Sequence, residues 1–305
     1  MGNRVTATRW ARLLRDLGHQ VRITERLTGS PDVLIALHAR KSAKSAATFK
    51  ERFPDRPLVV ALTGTDLYDD LVSGNRAAIR TVDIADHLVV LNAEAVRNLS
   101  AVHSRKAHLI YQSADVPAVQ RKPPTGRFDV CVLAHLRPVK DPLRTAMASR
   151  LAPLDSQLRV RHLGRTLDER LEIRALAESN RNPRYEFSGE LPRGQALKIL
   201  AGSHLLVLSS RMEGGANAIG EAAVLGVPIL ATNAPGNLGL LGARHPGYFE
   251  YRDTKALAKL LLRAETDSKF YSRLKASSDR AAPRFAPKRE LKAWSELCSG
   301  FRSLG

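Results

Sequence analysis

The chain has 305 residues, 44% of them hydrophobic, with 48 Lys and Arg against 30 Asp and Glu for a formal net charge of +18. That length buries a full core and suits two domains better than one, and the hydrophobic content is ordinary for a soluble globular protein. No run of about 18 apolar residues provides a spanning helix, and the opening MGNRVTATRW lacks the apolar stretch of a signal peptide. The positive charge is compatible with nucleic acid, an anionic membrane or an anionic substrate. The basic residues are dispersed, however, and only 5% of residues are aromatic, so base stacking is poorly supported.

The first half alternates strand-like apolar runs with helical periodicity. TATRWARLLRDLG is helical, with Gly18 as its natural stop. Strand candidates follow at VRITE (21–25), DVLIAL (32–37), PLVVAL (57–62), HLVVLN (87–92) and HLIYQS (108–113). DVPAVQRKPPTGRF (115–128) is rich in Pro and charge and reads as a linker. The second half repeats the scheme with DVCVLAH (129–135), LRVRHLG (158–164), YEFSGE (185–190), LLVLSS (205–210), PILAT (228–232) and GYFEY (247–251). Continuous apolar strands separated by helices predict parallel sheets covered on both faces. The expectation is α/β, with two Rossmann-like parallel-sheet domains facing a central cleft: 1–115, a linker at 116–127, 128–282, and a closing helix at 283–305 packing back on the first domain. A Rossmann-like domain ordinarily begins with a strand that feeds a glycine-containing turn. Here the chain opens at Gly2-Asn3 and then helix, so the first strand is expected to lie upstream of this start.

Cys131 and Cys298 are the only cysteines. Without an export signal they read as reduced thiols of a cytoplasmic protein. The nine histidines show no metal-ligand spacing, so no metal and no cofactor are expected. His135 and His162 follow strand-like runs, which makes each either a cleft residue or a satisfied structural one.

Residues 209–232, SSRMEGGANAIGEAAVLGVPILAT, concentrate the chemistry. A buried strand ends at Ser210, and Arg211 to Glu213 form the loop at its carboxyl end, where α/β ligands bind. Gly214 and Gly215 lack Cβ atoms and let backbone approach a ligand closely. Asn217, Ala218 and Ile219 begin a helix whose free N–H groups and positive dipole end favour a phosphate. Glu221 lies about one turn into that helix. Carboxylates do not attract a diphosphate, but they accept hydrogen bonds from hydroxyls, and a nucleotide-sugar carries hydroxyls at both ends of its diphosphate. Taken singly, a Gly-Gly pair merely turns the chain and a helical Glu is a solvated charge. The combination, closed by Gly226-x-Pro228 and another strand, favours a site.

This pattern, Glu-x7-Glu ahead of a Gly-x-Pro strand, resembles the donor-site signature of GT-B glycosyltransferases of the family-4 type. The resemblance implies two Rossmann-like domains and no metal. It implies that Glu221 holds the nucleotide ribose, that Glu213 faces the transferred sugar, and that Gly214, Gly215, Asn217, Ala218 and Ile219 line the diphosphate. Arg137 and Lys140 of HLRPVKDP would clamp that diphosphate, at a spacing that departs from the common pattern, with Arg211 a further cation. Gly189, Glu190 and Leu191 of GELP would hold the base through backbone.

A narrower resemblance lies in GNRVTATRWARLLRDLGHQV, LIALHARKSA, PLVVALTGTDLY and LIYQSA, which are similar to the selenosugar synthases of selenoneine biosynthesis. These join the sugar of a UDP-sugar, typically UDP-N-acetylglucosamine, to selenophosphate, which implies a functional link to a selenophosphate-producing enzyme. Selenophosphate is already anionic and needs a cationic, hydrogen-bonding cradle rather than a general base. Thr63, Gly64 and Thr65 would supply hydroxyls and N–H groups to that cradle, with Asn3, Arg4 and His135 as further acceptor-side candidates and Asp66 either an acceptor-side carboxylate or part of a helix cap at Thr65. Two alternatives stand beside this reading. One is a GT-B enzyme acting on a hydroxyl acceptor, for which KALAKLLLRAETDSKFYSRLK (255–275) would offer a membrane-docking face or simply core. The other is a basic nucleic-acid-binding protein, against which the paired glutamates argue.

Overall fold

The computed structural model describes residues 2–116, 119 and 121–301. Residues 117, 118 and 120 of the expected linker, and residues 1 and 302–305 of the terminal segments, lie outside the described residues. The chain divides into two compact units. The first gathers the chain up to Ser113, the tripeptide Glu213–Gly215 and the segment from Pro287. The second holds Ala114–Met212 and Ala216–Ala286.

The first unit opens with helix α1 (Gly2–Asp16). It then alternates β1 (Leu34–Leu37), α2 (Ala43–Arg52), β2 (Leu58–Leu62), α3 (Arg76–Ile84) and β3 (His87–Val90). Two short helices, α4 (Ala93–Arg97) and α5 (Ala101–Arg105), precede β4 (Ala107–Leu109). The four strands form a parallel sheet in chain order. All five β2 residues are buried, as a continuous apolar run between two helical layers requires. Their side chains alternate between two cores. Val59 and Ala61 join Trp10, Leu13 and Leu14 of α1, together with Trp294 and Leu297, while Leu58, Val60 and Leu62 join Phe49 of α2 and Val82 of α3. Gly18 stops α1 in the left-handed region, at φ +88°. Asn75, Asn92 and Ser100 cap α3, α4 and α5 through their side chains.

VRITE forms no strand, contrary to the sequence expectation. Its residues are mostly exposed, with Ile23 at 48%, and no described strand lies beside it to share a ladder. Alternation of apolar and polar residues makes a segment suited to a half-buried strand, but the backbone adopts one only where a partner accepts its hydrogen bonds. The predicted strand at 108–113 is shorter than expected, since pairing ends at Leu109.

The second unit begins with β5 (Phe128–Leu133), α6 (Arg144–Ser149), β6 (Leu158–Leu163), α7 (Glu169–Arg181) and β7 (Tyr185–Phe187). It continues through α8 (Arg193–Gly202), β8 (Leu205–Leu208), α9 (Asn217–Val224), β9 (Ile229–Thr232), α10 (Pro235–Leu241) and β10 (Tyr248–Phe249). Helices α11 (Thr254–Thr266) and α12 (Ser268–Ala281) complete it, and α13 (Pro287–Ser299) belongs to the first unit. Its six strands are all parallel, in the order β10-β9-β8-β5-β6-β7. The chain runs outward from β5 to β7, then returns to β8 on the other side of β5. That reversal makes the carboxyl ends of β5 and β8 the topological switch point where open α/β sheets bind ligands. Gly164, just past β6, is obligatory: a Cβ there would stand 1.9 Å from the Ala134 carbonyl oxygen. Among the described residues no helix is long and apolar enough to cross a membrane.

Candidate functional site

At the switch point of the second unit, two loops are tied together. The Arg211 amide donates to the Val139 carbonyl at 2.8 Å, and the Ser209 hydroxyl donates to the Asp141 carbonyl at 2.8 Å. The loops after β5, β8 and β10 then line an open cavity of about 550 Å³ with Arg137, Pro138, Val139, Arg211, Tyr251 and Arg252. Of the basic pair expected to clamp a diphosphate, Arg137 faces this cavity; Lys140 ends the short turn Pro138–Lys140. Beyond β8, α9 begins at Asn217 behind Ala216, which has no side chain able to accept from first-turn amides. The Ile219 amide donates to the Ala216 carbonyl at 3.0 Å, and the positive end of the helix dipole lies at this first turn.

Glu221 sits one turn further along α9. Its Oε1 is 3.0 Å from Nη2 of Arg193, and the same guanidinium nitrogen donates to the Asp115 carbonyl at 2.8 Å. Arg193 holds the Glu221 carboxylate in one orientation, and sequence reasoning missed it. Arg193 directly follows the GELP segment as the first residue of α8. In that segment Gly189 is left-handed, at φ +69°, and its carbonyl accepts from the Gly164 amide. Glu190 is exposed and Leu191 half-buried.

His135 is half-buried, and its Nδ1 accepts from the Arg165 amide at 3.1 Å, so the proton of the neutral ring rests on Nε2. Burial, followed by the Lys140 ammonium, lowers its pKa against the opposing pull of Glu190. His162 is structural. Its Nε2 donates to the Ala134 carbonyl and its Nδ1 accepts from the Tyr185 hydroxyl, both at 2.8 Å, and burial pulls its pKa down to about 4. Cys131 and Cys298 are free and buried, and burial pushes the Cys131 thiol up to about 12.

In the first unit the loop after β2 differs from the expected cradle. The Thr63 and Gly64 amides do not point to an open site: both donate to Oδ1 of Asp66, at 2.8 and 2.9 Å. Leu67 adds a third amide to that oxygen, and Ala39 donates to Oδ2 at 3.0 Å. Asp66 has no exposed surface and knots the loops after β1 and β2 together. Asp66 is therefore a tie between loops rather than a cap, since the N-cap position falls to Thr65 without a side-chain cap bond, and it removes the two N–H groups assigned to an oxyanion. Burial raises the Asp66 carboxyl above the usual range, with His38 and the amides of Ala39, Gly64 and Thr63 pulling it down.

The Thr65 hydroxyl is engaged as well, at 2.9 Å from Nε2 of His38. His38 is another residue that the sequence did not single out. It is buried, left-handed at φ +78°, and flanked by Asp70, which pairs with Arg40 at 3.1 Å. Burial lowers the His38 pKa. Arg4 is exposed in the first turn of α1, with Asn3 half-buried beside it.

Glu213, Gly214 and Gly215 fall in the first unit, and Glu213 is 6% exposed. The glycines have a packing reason as well as any ligand reason. A Cβ on Gly214 would lie 2.2 Å from the Thr63 carbonyl oxygen, and one on Gly215 would lie 3.0 Å from Gln112 and Leu91. Asn92 fixes the tripeptide by donating to the Gly214 carbonyl at 2.7 Å. Among the described residues no group of three or more His, Cys, Asp or Glu side chains is placed to hold a metal ion.

Two parallel-sheet α/β units with ligand loops at a switch point define the GT-B glycosyltransferase fold. Residues 118–280, just over half of the chain, match the family Glycosyl transferases group 1, and the chain belongs to that family. Among solved structures it is similar to HepE from Anabaena in complex with UDP and glucose, at 17% identity and a TM-score of 0.67, covering 88% of this chain and 77% of that one. Sucrose-phosphate synthase from Thermosynechococcus elongatus superposes at 15% identity and a TM-score of 0.72, covering 90% and 74%. The pneumococcal O-GlcNAc transferase GtfA, in complex with UDP and GlcNAc, superposes at 15% identity and a TM-score of 0.67, covering 88% of this chain and 56% of that one. No curated protein matches the chain.

Proposed function

We propose that the chain transfers the sugar of a UDP-sugar, UDP-N-acetylglucosamine first among the candidates, to selenophosphate. The selenium lone pair forms the bond to the anomeric carbon as the bond from that carbon to the diphosphate oxygen breaks, and UDP departs. Loss of the phosphoryl group to water then gives the selenosugar. Glu221, steadied by Arg193, accepts hydrogen bonds from the ribose hydroxyls. The start of α9, with Arg137, Lys140 and Arg211, receives the diphosphate, and Glu213 accepts from the transferred sugar. Use of UDP is supported by HepE and GtfA, whose structures hold it.

The observation that carries the choice of nucleophile is the condition of the loop after β2. Asp66 is bound by four amides and His38 is buried, so neither is available to take a proton from a hydroxyl acceptor. Such a loop suits a nucleophile that arrives already ionised. The phrases TGTDLY and GNRVTA add the resemblance to selenosugar synthases.

The test is a product assay on purified protein with UDP-N-acetylglucosamine and selenophosphate under anaerobic, reducing conditions, with phosphate alone as the control. A sugar bearing the selenium isotope pattern, formed together with UDP, is the expected result. UDP binding without a selenium product would move the acceptor to another class, and absence of UDP binding would remove the donor assignment. Glu221→Ala should weaken UDP binding about tenfold, by the loss of about one hydrogen-bonded pair, as read by calorimetry. Glu213→Ala should slow turnover on the order of a hundredfold while UDP affinity holds.

A further inference from the structure

A second cavity, of about 340 Å³, opens at the other end of the second unit's sheet, lined by Arg150, Arg181, Asn182, Pro183 and Arg184. Arg150 directly follows α6 on the way to β6, Arg181 is the last residue of α7, and Arg184 directly precedes β7. All three sit at the amino ends of strands, away from the carboxyl-end loops that carry Arg137 and Arg211.

Glu178, 3% exposed, organises this cavity. Its two oxygens accept from Nε and Nη2 of Arg150 at 2.7 and 2.6 Å. Oε2 accepts again from Nε and Nη2 of Arg181, at 3.2 and 3.0 Å, and Oε1 from the Asn182 side-chain amide at 3.0 Å. Burial alone would raise this carboxyl, but the donors of Asn182, Arg181 and Arg150 hold it below its usual range. It stays ionised at neutral pH, and with about four lone-pair sites already filled it has none left for a third guanidinium. Nη2 of Arg184 goes elsewhere, to the Pro153 and Leu154 carbonyls at 2.6 and 3.4 Å.

The arginines keep donors in reserve. Among the described residues, Nη1 of Arg150, of Arg181 and of Arg184 has no hydrogen-bond partner, and no carboxylate besides Glu178 pairs with any of the three. The simplest account of the cluster is that basic side chains answer the carboxyl ends of α6 and α7, each equivalent to about half a negative unit. The charges do not balance on that account. Three guanidinium groups against one carboxylate and two helix ends leave about one positive unit, with three donor groups idle around one space.

We propose that the Arg150–Arg181–Arg184 cavity binds a phosphate monoester, with Glu178 as the internal partner that holds Arg150 and Arg181 in place for it. A tetrahedral oxyanion presents three oxygens in different directions and suits Nη1 donors that come from three positions of the chain. A carboxylate presents only two, in one plane. The ligand takes no part in sugar transfer, since it sits at the end of the sheet opposite the switch point. Two sources carry its chemistry: a free phosphorylated metabolite, and a phosphate headgroup at a bilayer surface.

The experiment is calorimetric titration of the full chain, saturated with UDP to fill the donor site, with inorganic phosphate and with glycerol 3-phosphate. In parallel, the chain is sedimented with phosphatidylcholine vesicles that contain phosphatidic acid. Arg181→Gln removes one charge at a side chain 65% exposed and leaves Arg150 and Asn182 on Glu178, so its melting temperature should match that of the wild type. Arg174→Gln, exposed on the same helix and outside the cavity, is the control for overall charge. Arg181→Gln should weaken binding at least about fivefold, by the loss of a charge-assisted bond, while Arg174→Gln changes it less than about twofold. Turnover should be the same in both variants. Binding of the soluble phosphates identifies a free ligand, and binding confined to the vesicles identifies a headgroup. Equal losses in the two variants would overturn the proposal by reducing the effect to overall charge. Binding that Arg181→Gln leaves unchanged, or no binding of any probe by the wild type, would overturn it as well. The comparison of variants stands whether or not UDP binds, so failure of the donor reading leaves it intact.

Discussion

Asp66 is buried without any exposed surface and yet carries four amide donors on its two oxygens. A carboxylate so placed is a structural knot, because any replacement leaves buried N–H groups unanswered. Asp66→Asn turns one oxygen into a donor that must face either the Ala39 amide or the three amides of the β2 loop. The expected cost is about 2–4 kcal/mol in urea-induced unfolding, with Asp66→Glu no better because the longer chain overfills the site. The run Thr-Gly-Thr-Asp suggested a cap, whereas Asp66 is the first residue of the turn and ties upstream loops instead. That it would take the Thr63 and Gly64 amides from a ligand was not legible, since a sequence names donors without saying where they point. His38 shows the same limit: His-Ala-Arg-Lys gives no sign of a left-handed backbone or of the bond to Thr65.

At the scale of elements, the strands that the sequence showed clearly are the ones buried on both faces. β2 and β8 are uninterrupted apolar runs, β9 is one up to its closing Thr232, and every residue in the three is buried. VRITE failed because an alternating pattern describes a surface and says nothing about a partner strand. Glycines separate in the same way by what surrounds them. At Gly164 an added Cβ meets the Ala134 carbonyl at 1.9 Å, whereas at Gly194, near the start of α8, it meets nothing within 4 Å. Gly164→Ala should therefore destabilise by about 3 kcal/mol as the loop after β5 is pushed aside. Gly194→Ala should stabilise by about 0.5–1 kcal/mol, through helix propensity and a less disordered unfolded chain. Thermal melts of the two variants should shift in opposite directions. Arg193, adjacent to Gly194, was missed because its partner Glu221 lies 28 positions further on, and a single sequence does not reveal pairings over such separations.

For the whole molecule, acid stability follows from two buried imidazoles. Burial lowers His162 and His245 to about 4, and both rings are bonded within the fold. The unfolded chain protonates these groups near pH 6.5, whereas the folded chain resists until about pH 4. The unfolded state therefore binds more protons across that window. Stability is fully present above about pH 6.5 and falls as the pH drops toward 4, by up to roughly 3 kcal/mol for each histidine. Urea unfolding midpoints measured between pH 7.5 and 4.5 should decline steadily below neutrality. A flat profile would mean that both imidazoles accept protons within the fold.

The first unit is not one stretch of chain. Its helix α13 brings Glu290, 1% exposed, to accept from the Trp10 indole at 2.7 Å and from the Ser113 amide at 2.7 Å, with Trp294 packed against Trp10. During synthesis these partners emerge long after the sheet they complete. At roughly 5–20 residues per second, the ribosome needs about 10–35 s to pass from Ser113 to Pro287. Throughout that interval the nascent first unit has the Trp10 face of α1 uncovered and the Ser113 amide unanswered. The second unit, continuous but for three residues, can close first. The first unit is thus finished after the second, and a chain stopped before residue 287 would leave that apolar face uncovered.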